Sequence, residues 1–303
     1  MVTPNATISG WGGILVLGLI LTFGSGCALS AKQKAAINQF SDSAATLGDV
    51  TSSELATMRS GAIKMTIERL LLGGKSKDPN LGDQATLDRG FELNRMESVV
   101  GATRTLAAYG KTLSALVDDT QSDELNAASQ EFVASLGQIS EAQKRLTDEQ
   151  LEDIGAAVQE IGTFWIDWKR KRAVTTVIRH SQQAVDNLCD LLIRDFDPQK
   201  GWVALQLQVI ENPLLAESTN ALYDGASYYE REVALGAFRL AHGSKMRRTE
   251  VLTRIVDAAV AMKQANTAIV DAIDRPGLST QDIRTFAERA QSLKNVANLI
   301  VTD

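Results

Sequence analysis

The amino-acid sequence predicts an all-α protein, and three observations lead to that class. Aromatic residues make up only 5% of the chain and proline occurs five times, while the helix-favouring residues Ala, Leu, Gln, Glu, Lys and Arg recur throughout. No segment alternates apolar and polar residues for long enough to predict a strand. Apolar residues recur instead every three or four positions, which predicts an elongated antiparallel bundle of about six or seven long helices with coiled-coil-like seams.

Start and stop signals divide the chain into seven predicted helices. Gly73 ends the first, and a capping box of Thr147 and Gln150 opens the fourth. The fifth is expected to kink or break near Asn212, because Pro213 removes a backbone hydrogen bond. The predicted helices span 31–72, 83–117, 122–146, 148–196, 198–240, 246–273 and 280–301.

The apolar spacing of the last predicted helix shows how the helices pack. Its apolar residues step by three and four, as on the seam of a heptad helix. They are Ile283, Phe286, Ala290, Leu293, Ala297 and Ile300. We expect residues 27–303 to form one helical-bundle domain, within which 31–146 and 147–303 are candidate sub-bundles. Heptad seams serve contacts within one chain or between two, so the oligomeric state stays open.

The first 30 residues hold the most specific signal in the chain. An apolar run from Ile14 to Phe23 is ten residues long, within the range of a secretory signal and well short of the ~20 residues that span a bilayer. Three small residues, 24–26, lead from it into Cys27, as the shallow pockets of a signal peptidase require. The sequence therefore predicts a cleaved signal peptide over 1–26.

The segment 23–27, of sequence FGSGC, resembles the lipobox of bacterial lipoproteins. That resemblance implies cleavage before Cys27 and attachment of thioether-linked diacylglycerol to its sulfur. Ala28, which follows the cysteine, implies passage to the outer membrane if the cell is Gram-negative. The resemblance thus implies a lipoprotein of the cell envelope that faces the periplasm and meets the membrane through its N-terminal lipid.

The same segment also fits an uncleaved signal-anchor helix. No charged side chain precedes Lys32, and Lys32 and Lys34 follow the apolar run. By the positive-inside rule, such an anchor would lie in the inner membrane and leave a helical domain in the cytoplasm. The two alternatives differ in the fate of Cys27.

The sequence nominates no catalytic, metal-binding or cofactor-binding group. Neither His180 nor His242 belongs to an H-E-x-x-H motif or follows a glutamate by three positions, so zincin and di-iron sites are not indicated. No G-x-S-x-G motif marks a nucleophile. Cys189 lies on an apolar stripe with Leu188 and Leu192, which indicates a buried core thiol. We therefore expect a protein that is not an enzyme and needs no metal or cofactor.

The most unusual segment downstream of the signal joins aromatic and basic residues. It contains Trp165, Trp168, Lys169, Arg170, Lys171 and Arg172. Such a pairing suits a membrane interface or an anionic polymer, so these six residues are the candidate surface for an anionic partner. Residues 112–168, however, hold twelve acidic and two basic residues, so salt bridges within the chain explain the cations without a ligand. We favour the second interpretation, and a nucleic-acid partner is not expected.

A second basic cluster, Lys245, Arg247 and Arg248, is expected to begin the sixth helix. His242 and Gly243, just before it, are expected to mark the end of the fifth. The helix dipole disfavours cations at a helix N-terminus. We therefore expect these three cations to face a partner.

Three classes of function remain open. The favoured one is a lipid-anchored bundle with a non-catalytic structural or protein-interaction role, whose partners are envelope proteins or an anionic envelope polymer. The second is a periplasmic binding or sensor module that takes a small molecule or lipid between helices, which requires a cavity. The third is an enzyme without linear motifs.

Overall fold

The computed structural model describes residues 29–72, 87, 91, 93–118, 122–138, 167–224, 227–274 and 280–299. Within them the chain forms α-helices and no strand, which confirms the predicted all-α bundle. The seven helices are α1 (Ala31–Leu72), α2 (Leu93–Val117), α3 (Ser122–Gln138), α4 (Asp167–Asp195), α5 (Trp202–Asp224), α6 (Tyr228–Asp274) and α7 (Gln281–Leu299). The predicted capping box at Thr147 lies outside the described residues.

A capping box begins each of the two longest helices. At α1, Ser30 Oγ accepts the backbone N–H of Gln33 at 3.3 Å, and Gln33 Oε1 accepts the N–H of Ser30 at 2.9 Å. At α6, Ser227 and Glu230 exchange the same pair of bonds at 3.2 and 2.9 Å. Each reciprocal pair satisfies two N–H groups that a helix start otherwise leaves unpaired. The first helix therefore begins where the sequence predicts.

Two contacts fix the directions of α1, α2 and α4. Asn38 Nδ2, near the start of α1, donates to Asp118 Oδ1, just past the end of α2, at 2.7 Å. Arg95, near the start of α2, lies 3.0 Å from Asp195 at the end of α4. Both helix pairs are therefore antiparallel, so α1 and α4 run in the same direction and begin at the same end, which we call the N-terminal end of the bundle.

The helix α6 runs back along the whole bundle. Its Lys263 Nζ donates to Asp190 of α4 at 2.7 Å, and its Arg248, fifteen residues earlier, bonds Glu211 of α5 at 3.0 Å. Helices α4 and α5 thus lie one after the other along α6. With 42 and 47 residues, α1 and α6 are about 63 and 70 Å long at 1.5 Å per residue, so the bundle is elongated.

An aromatic cluster joins the helices near the N-terminal end. The ring of Phe40 in α1 lies 6.0 Å from that of Tyr109 in α2 and 5.5 Å from that of Phe286 in α7. The ring of Tyr109 is also 5.4 Å from that of Phe132 in α3. All four side chains are fully buried, and such edge-on and tilted pairs add to the stabilisation that burial gives.

Two glycines allow α1 and α2 to approach each other closely. A Cβ at Gly48 would collide with the carbonyl oxygen of Thr103 and lie 2.8 Å from Ala107 Cβ. A Cβ at Gly110 would collide with the carbonyl oxygen of Ser41. The backbones meet at these points, so neither position has room for a side chain.

The predicted seams are confirmed where the structure describes them. In α7, Ile283, Phe286, Ala290, Leu293 and Ala297 are all buried. In α4, Cys189 is fully buried, so it lies in the core as predicted. Among the described residues, no helix is both long and apolar enough to cross a membrane.

The predicted boundary between the fifth and sixth helices is wrong. Helix α5 ends at Asp224, α6 begins at Tyr228, and α6 continues through His242 and Gly243. His242 stacks on Phe238 one turn earlier, with ring centroids 5.8 Å apart, rather than marking a helix end. The physical reason is the capping box after Asp224, which starts the helix earlier than the glycine suggested.

The expected break near Asn212 does not occur, because α5 passes Pro213 without interruption. Proline removes the hydrogen bond to the carbonyl four residues earlier, which belongs to Val209. Val209 is 68% exposed, so water has access to that side of the helix. The cost of the missing bond is therefore small enough for the helix to continue.

Candidate functional site

The basic run predicted from sequence lies in the first turns of α4. Arg170 is only 6% exposed, Lys169 and Lys171 are half-buried, and Arg172 alone among the four is exposed. Lys169, Arg170 and Lys171 each take part in at least one polar, ionic or ring contact within the protein. The run is therefore not a uniformly solvated cationic face.

The other residues of that predicted surface are placed only in part. Trp168 belongs to α4, whereas Trp165 and the predicted lipidation site Cys27 lie outside the described residues. The structure therefore brings the four cations together on one helix.

The basic run lies at the N-terminal end of the bundle. Tyr109 of α2 contacts both Phe40 of α1 and Ser181 of α4. Phe40 and Ser181 therefore lie at similar heights along the bundle axis. At 1.5 Å per residue, Ala31 lies about 14 Å before Phe40 along α1, and Lys169 lies about 18 Å before Ser181 along α4. The start of α1 and the basic run are thus level to within about one helical turn.

The predicted place of the second basic cluster at a helix start is wrong, and two of its three cations, Arg247 and Arg248, form ion pairs within the protein. Arg248 is 5% exposed and its Nε donates to Glu211 Oε2 at 3.0 Å, while Ser244 Oγ donates to the other oxygen of Glu211 at 2.9 Å. Arg247 donates from Nη2 to both carboxylate oxygens of Glu54 at 2.9 Å. The reason is position, because Arg247 and Arg248 lie inside α6 instead of at its start and so meet acids of α1 and α5.

An open groove lies beside these ion pairs, between α1 and α6, with one wall residue from α5. It has a volume of about 610 Å³. Its described lining residues are Thr57, Met58, Gly61, Leu207, Arg239, Leu240, Gly243, Ser244, Met246, Arg247, Arg248 and Glu250. No sequence signal indicated this groove, because a groove between helices depends on which helix faces meet.

An exposed aromatic patch, the tyrosine tip, lies at the opposite end of the bundle from the basic run. Tyr223 at the end of α5 and Tyr228 and Tyr229 at the start of α6 are 83%, 82% and 74% exposed. Leu71, at the end of α1, is 64% exposed and lines a shallow depression with Tyr229. The paired tyrosines after a turn are the signal that could have indicated this patch in the sequence.

A buried polar network lies in the core near Cys189. Tyr109 donates its hydroxyl to Asn266 Oδ1 at 3.1 Å, and Asn266 Nδ2 is 3.3 Å from Asp186 Oδ1. Burial raises the pKa of Asp186, and the hydrogen bond from Asn266 opposes that rise. Burial also raises the pKa of the Cys189 thiol, and the nearby Asp186 and Asp190 add to the effect. The thiol is therefore neutral and a poor nucleophile in the folded protein.

In the described part of the chain, no three His, Cys, Asp or Glu side chains are grouped so that they could hold a metal ion. Comparison of the chain with protein-family models, with curated proteins and with solved structures found no match. Arguments about function therefore depend on the sequence and the geometry of this chain.

Proposed function

We propose that the protein is a lipid-anchored helical bundle of the cell envelope, acylated at Cys27, with a non-catalytic structural or protein-interaction role. In a Gram-negative cell it would be held in the outer membrane and face the periplasm. The lipobox-like segment 23–27 supports the anchor, and α1 begins at Ala31, only four residues beyond the cysteine. The bundle would therefore start almost at the membrane surface.

The observation that carries this proposal is the difference between the two ends of the bundle. The N-terminal end, nearest Cys27, carries the exposed Arg172 of the basic run and the lysines at 32 and 34, where cations meet anionic head groups favourably. The distal end carries the tyrosine tip, and exposed tyrosines are typical of protein contacts. A rod of about 63 Å, the length of α1, would hold that tip away from the membrane.

The anchor is tested by labelling cells with a clickable palmitate analogue. The wild-type protein should take up the label and lose about 26 residues in size, and Cys27→Ala should abolish both changes. Unchanged size with retained membrane attachment in that variant would instead indicate a signal-anchor with a cytoplasmic domain.

The interaction role is tested with a photo-crosslinking amino acid placed at position 228 of the full-length protein in cells. A discrete crosslinked product should form from this position. Val209, which is 68% exposed on the side of α5, gives the matched control position, where no such product is expected. Equal crosslinking from both positions would contradict a specific role for the tip.

The groove between α1 and α6 supports a second candidate function, the binding or sensing of a small molecule between helices. Ligand sites are typically concave, mostly apolar and between about 300 and 1,000 Å³ in volume. The groove, at about 610 Å³, falls within that range.

A further inference from the structure

The groove is the uncovered continuation of the seam that α7 fills. Helix α7 packs against both α1 and α6, and its Arg289 lies 3.7 Å from Asp257 of α6. Ten residues after Arg289, α7 ends at Leu299. Ten residues before Asp257, α6 reaches Arg247. The end of α7 is therefore level with the Arg247–Glu54 ion pair, and no described helix covers the seam beyond it.

Two glycines keep the groove open. Gly61 of α1 and Gly243 of α6 both line it, and a Cβ at either position would meet no atom within 4 Å. These glycines thus differ from Gly48 and Gly110, whose space is taken by a neighbouring backbone. The empty volume is there because two lining positions lack side chains.

The groove offers cationic donors beside an apolar surface. Arg239 is exposed and makes no ion pair or hydrogen bond with the described residues. Arg247 uses Nη2 to hold Glu54, while its Nε is buried without a hydrogen-bond acceptor. A buried guanidinium N–H that lacks an acceptor is costly, so the Arg247 side chain gains a hydrogen bond if it turns to meet an anion that enters the groove.

The apolar part of the lining comes from Met58, Leu207, Leu240 and Met246. Methionine and leucine side chains adapt to flexible aliphatic chains and have no polar group to satisfy. An occupant that suits the whole groove therefore has an anionic head for the two arginines and an unbranched apolar tail.

We propose that this groove binds a single-chain amphiphile whose head is a carboxylate or a phosphate. The head accepts hydrogen bonds from Arg239 and Arg247, and the tail lies along the methionine and leucine side chains past the two glycines. The proposal goes beyond the anchor and the tyrosine tip, and it does not depend on acylation of Cys27.

The test uses the full-length chain in phosphatidylcholine nanodiscs and a fatty acid that carries a photoreactive diazirine in its tail. After irradiation, labelled positions are mapped by mass spectrometry. The label is expected on the groove peptides that contain Met58, Leu240 or Met246. The double variant Gly61→Leu with Gly243→Leu should reduce that labelling at least tenfold, because its new side chains fill the space.

Two controls separate loss of the site from loss of the fold. The double variant should melt at the same temperature as the wild type or higher, since leucine favours helix over glycine and its Cβ has room. Gly101→Leu in α2, where a Cβ also meets no atom within 4 Å, should leave groove labelling within about twofold of wild type.

Competition identifies the head group. Laurate, lysophosphatidylglycerol or both should displace the probe, and which of them does so distinguishes a carboxylate from a phosphate head. Arg239→Gln should weaken that competition by about tenfold, the loss expected for one charge-assisted hydrogen bond. Equal displacement by dodecanol, displacement by inorganic phosphate alone, or groove labelling that persists in the double variant would overturn the proposal.

Discussion

The ion pair between Glu211 and Arg248 offers the sharpest test of the bundle's packing. Glu211 is fully buried, and the side chain of Arg248 is only 5% exposed. The perturbations are the single variants Glu211→Leu and Arg248→Met and the double variant that combines them. Each replacement side chain is apolar. Each single variant removes one charge of the pair, and the double variant removes both.

The structure sets the expected magnitudes. Arg248→Met leaves the Glu211 carboxylate buried with a single donor, Ser244 Oγ at 2.9 Å. Loss of one partner of a buried pair costs about 3–5 kcal/mol, because the remaining charge is uncompensated. The double variant leaves no buried charge, so it should lie within about 1 kcal/mol of wild type or exceed it in stability. The coupling energy between the two sites should therefore be several kcal/mol.

Urea denaturation followed by circular dichroism at 222 nm measures these differences. The matched control is Arg254→Met on the same helix, whose partner Glu250 lies one turn away at 2.7 Å and is 49% exposed. That exposed pair should contribute no more than about 1 kcal/mol. The argument fails if Arg248→Met costs no more than Arg254→Met, or if the double variant is as unstable as Arg248→Met alone.

Four further predictions concern separate regions. Gly48→Ala should destabilise the protein by about 1–3 kcal/mol in the same assay, because its Cβ collides with α2, and no loss would contradict that close approach. Cys189 should react with a thiol reagent only after denaturant is added, and Cys189→Ser should cost about 1–3 kcal/mol; rapid labelling of the native protein would refute its burial. The N–H groups of Lys200 and Gln199 lower the pKa of Asp197, so its stabilisation should be full above the ordinary value of 3.8 and disappear as pH falls below it, a dependence that Asp197→Asn should remove in acid titrations. Lys169→Glu combined with Arg172→Glu should cost up to about 1 kcal/mol per lost pair and leave membrane association in flotation assays unchanged.

Local signals in the sequence predicted most helices well. The first helix was predicted over 31–72 and found there. Gly73 was its predicted stop signal, and the cap at Ser30 is a local signal that the structure revealed. The apolar stripe around Cys189 was also predicted correctly, because heptad spacing reports which face of a helix is buried. Predictions of this kind need only neighbours in sequence.

The error at the start of α6 shows where local signals conflict. Gly243 suggested a helix end, but glycine inside a helix costs only about 1 kcal/mol relative to alanine. The capping box formed by Ser227 and Glu230 satisfies two N–H groups and places the helix start at Tyr228, eighteen residues before the predicted start at 246. A complete start signal therefore outweighed one weak stop signal.

The partners of Arg247 and Arg248 could not be predicted, because they come from helices 193 and 37 residues away in sequence. Periodicity shows that a face is buried but not which helix covers it. The groove next to these residues is also a product of tertiary packing, since Gly61 and Gly243 line the same space only after α1 and α6 pair.

The relation between the basic run and the lipid follows from magnitudes. A cation near an anionic membrane surface contributes about 1 kcal/mol, and a single acyl chain gives only marginal, reversible binding. Of the four cations in the run, Arg172 alone is exposed, while the other three have contacts within the protein. The run therefore adds about as much as one free charge to membrane attachment. Under the proposed function, stable attachment would come from the several acyl chains of a lipoprotein-type anchor at Cys27, and the basic end would orient a bundle that the lipid holds.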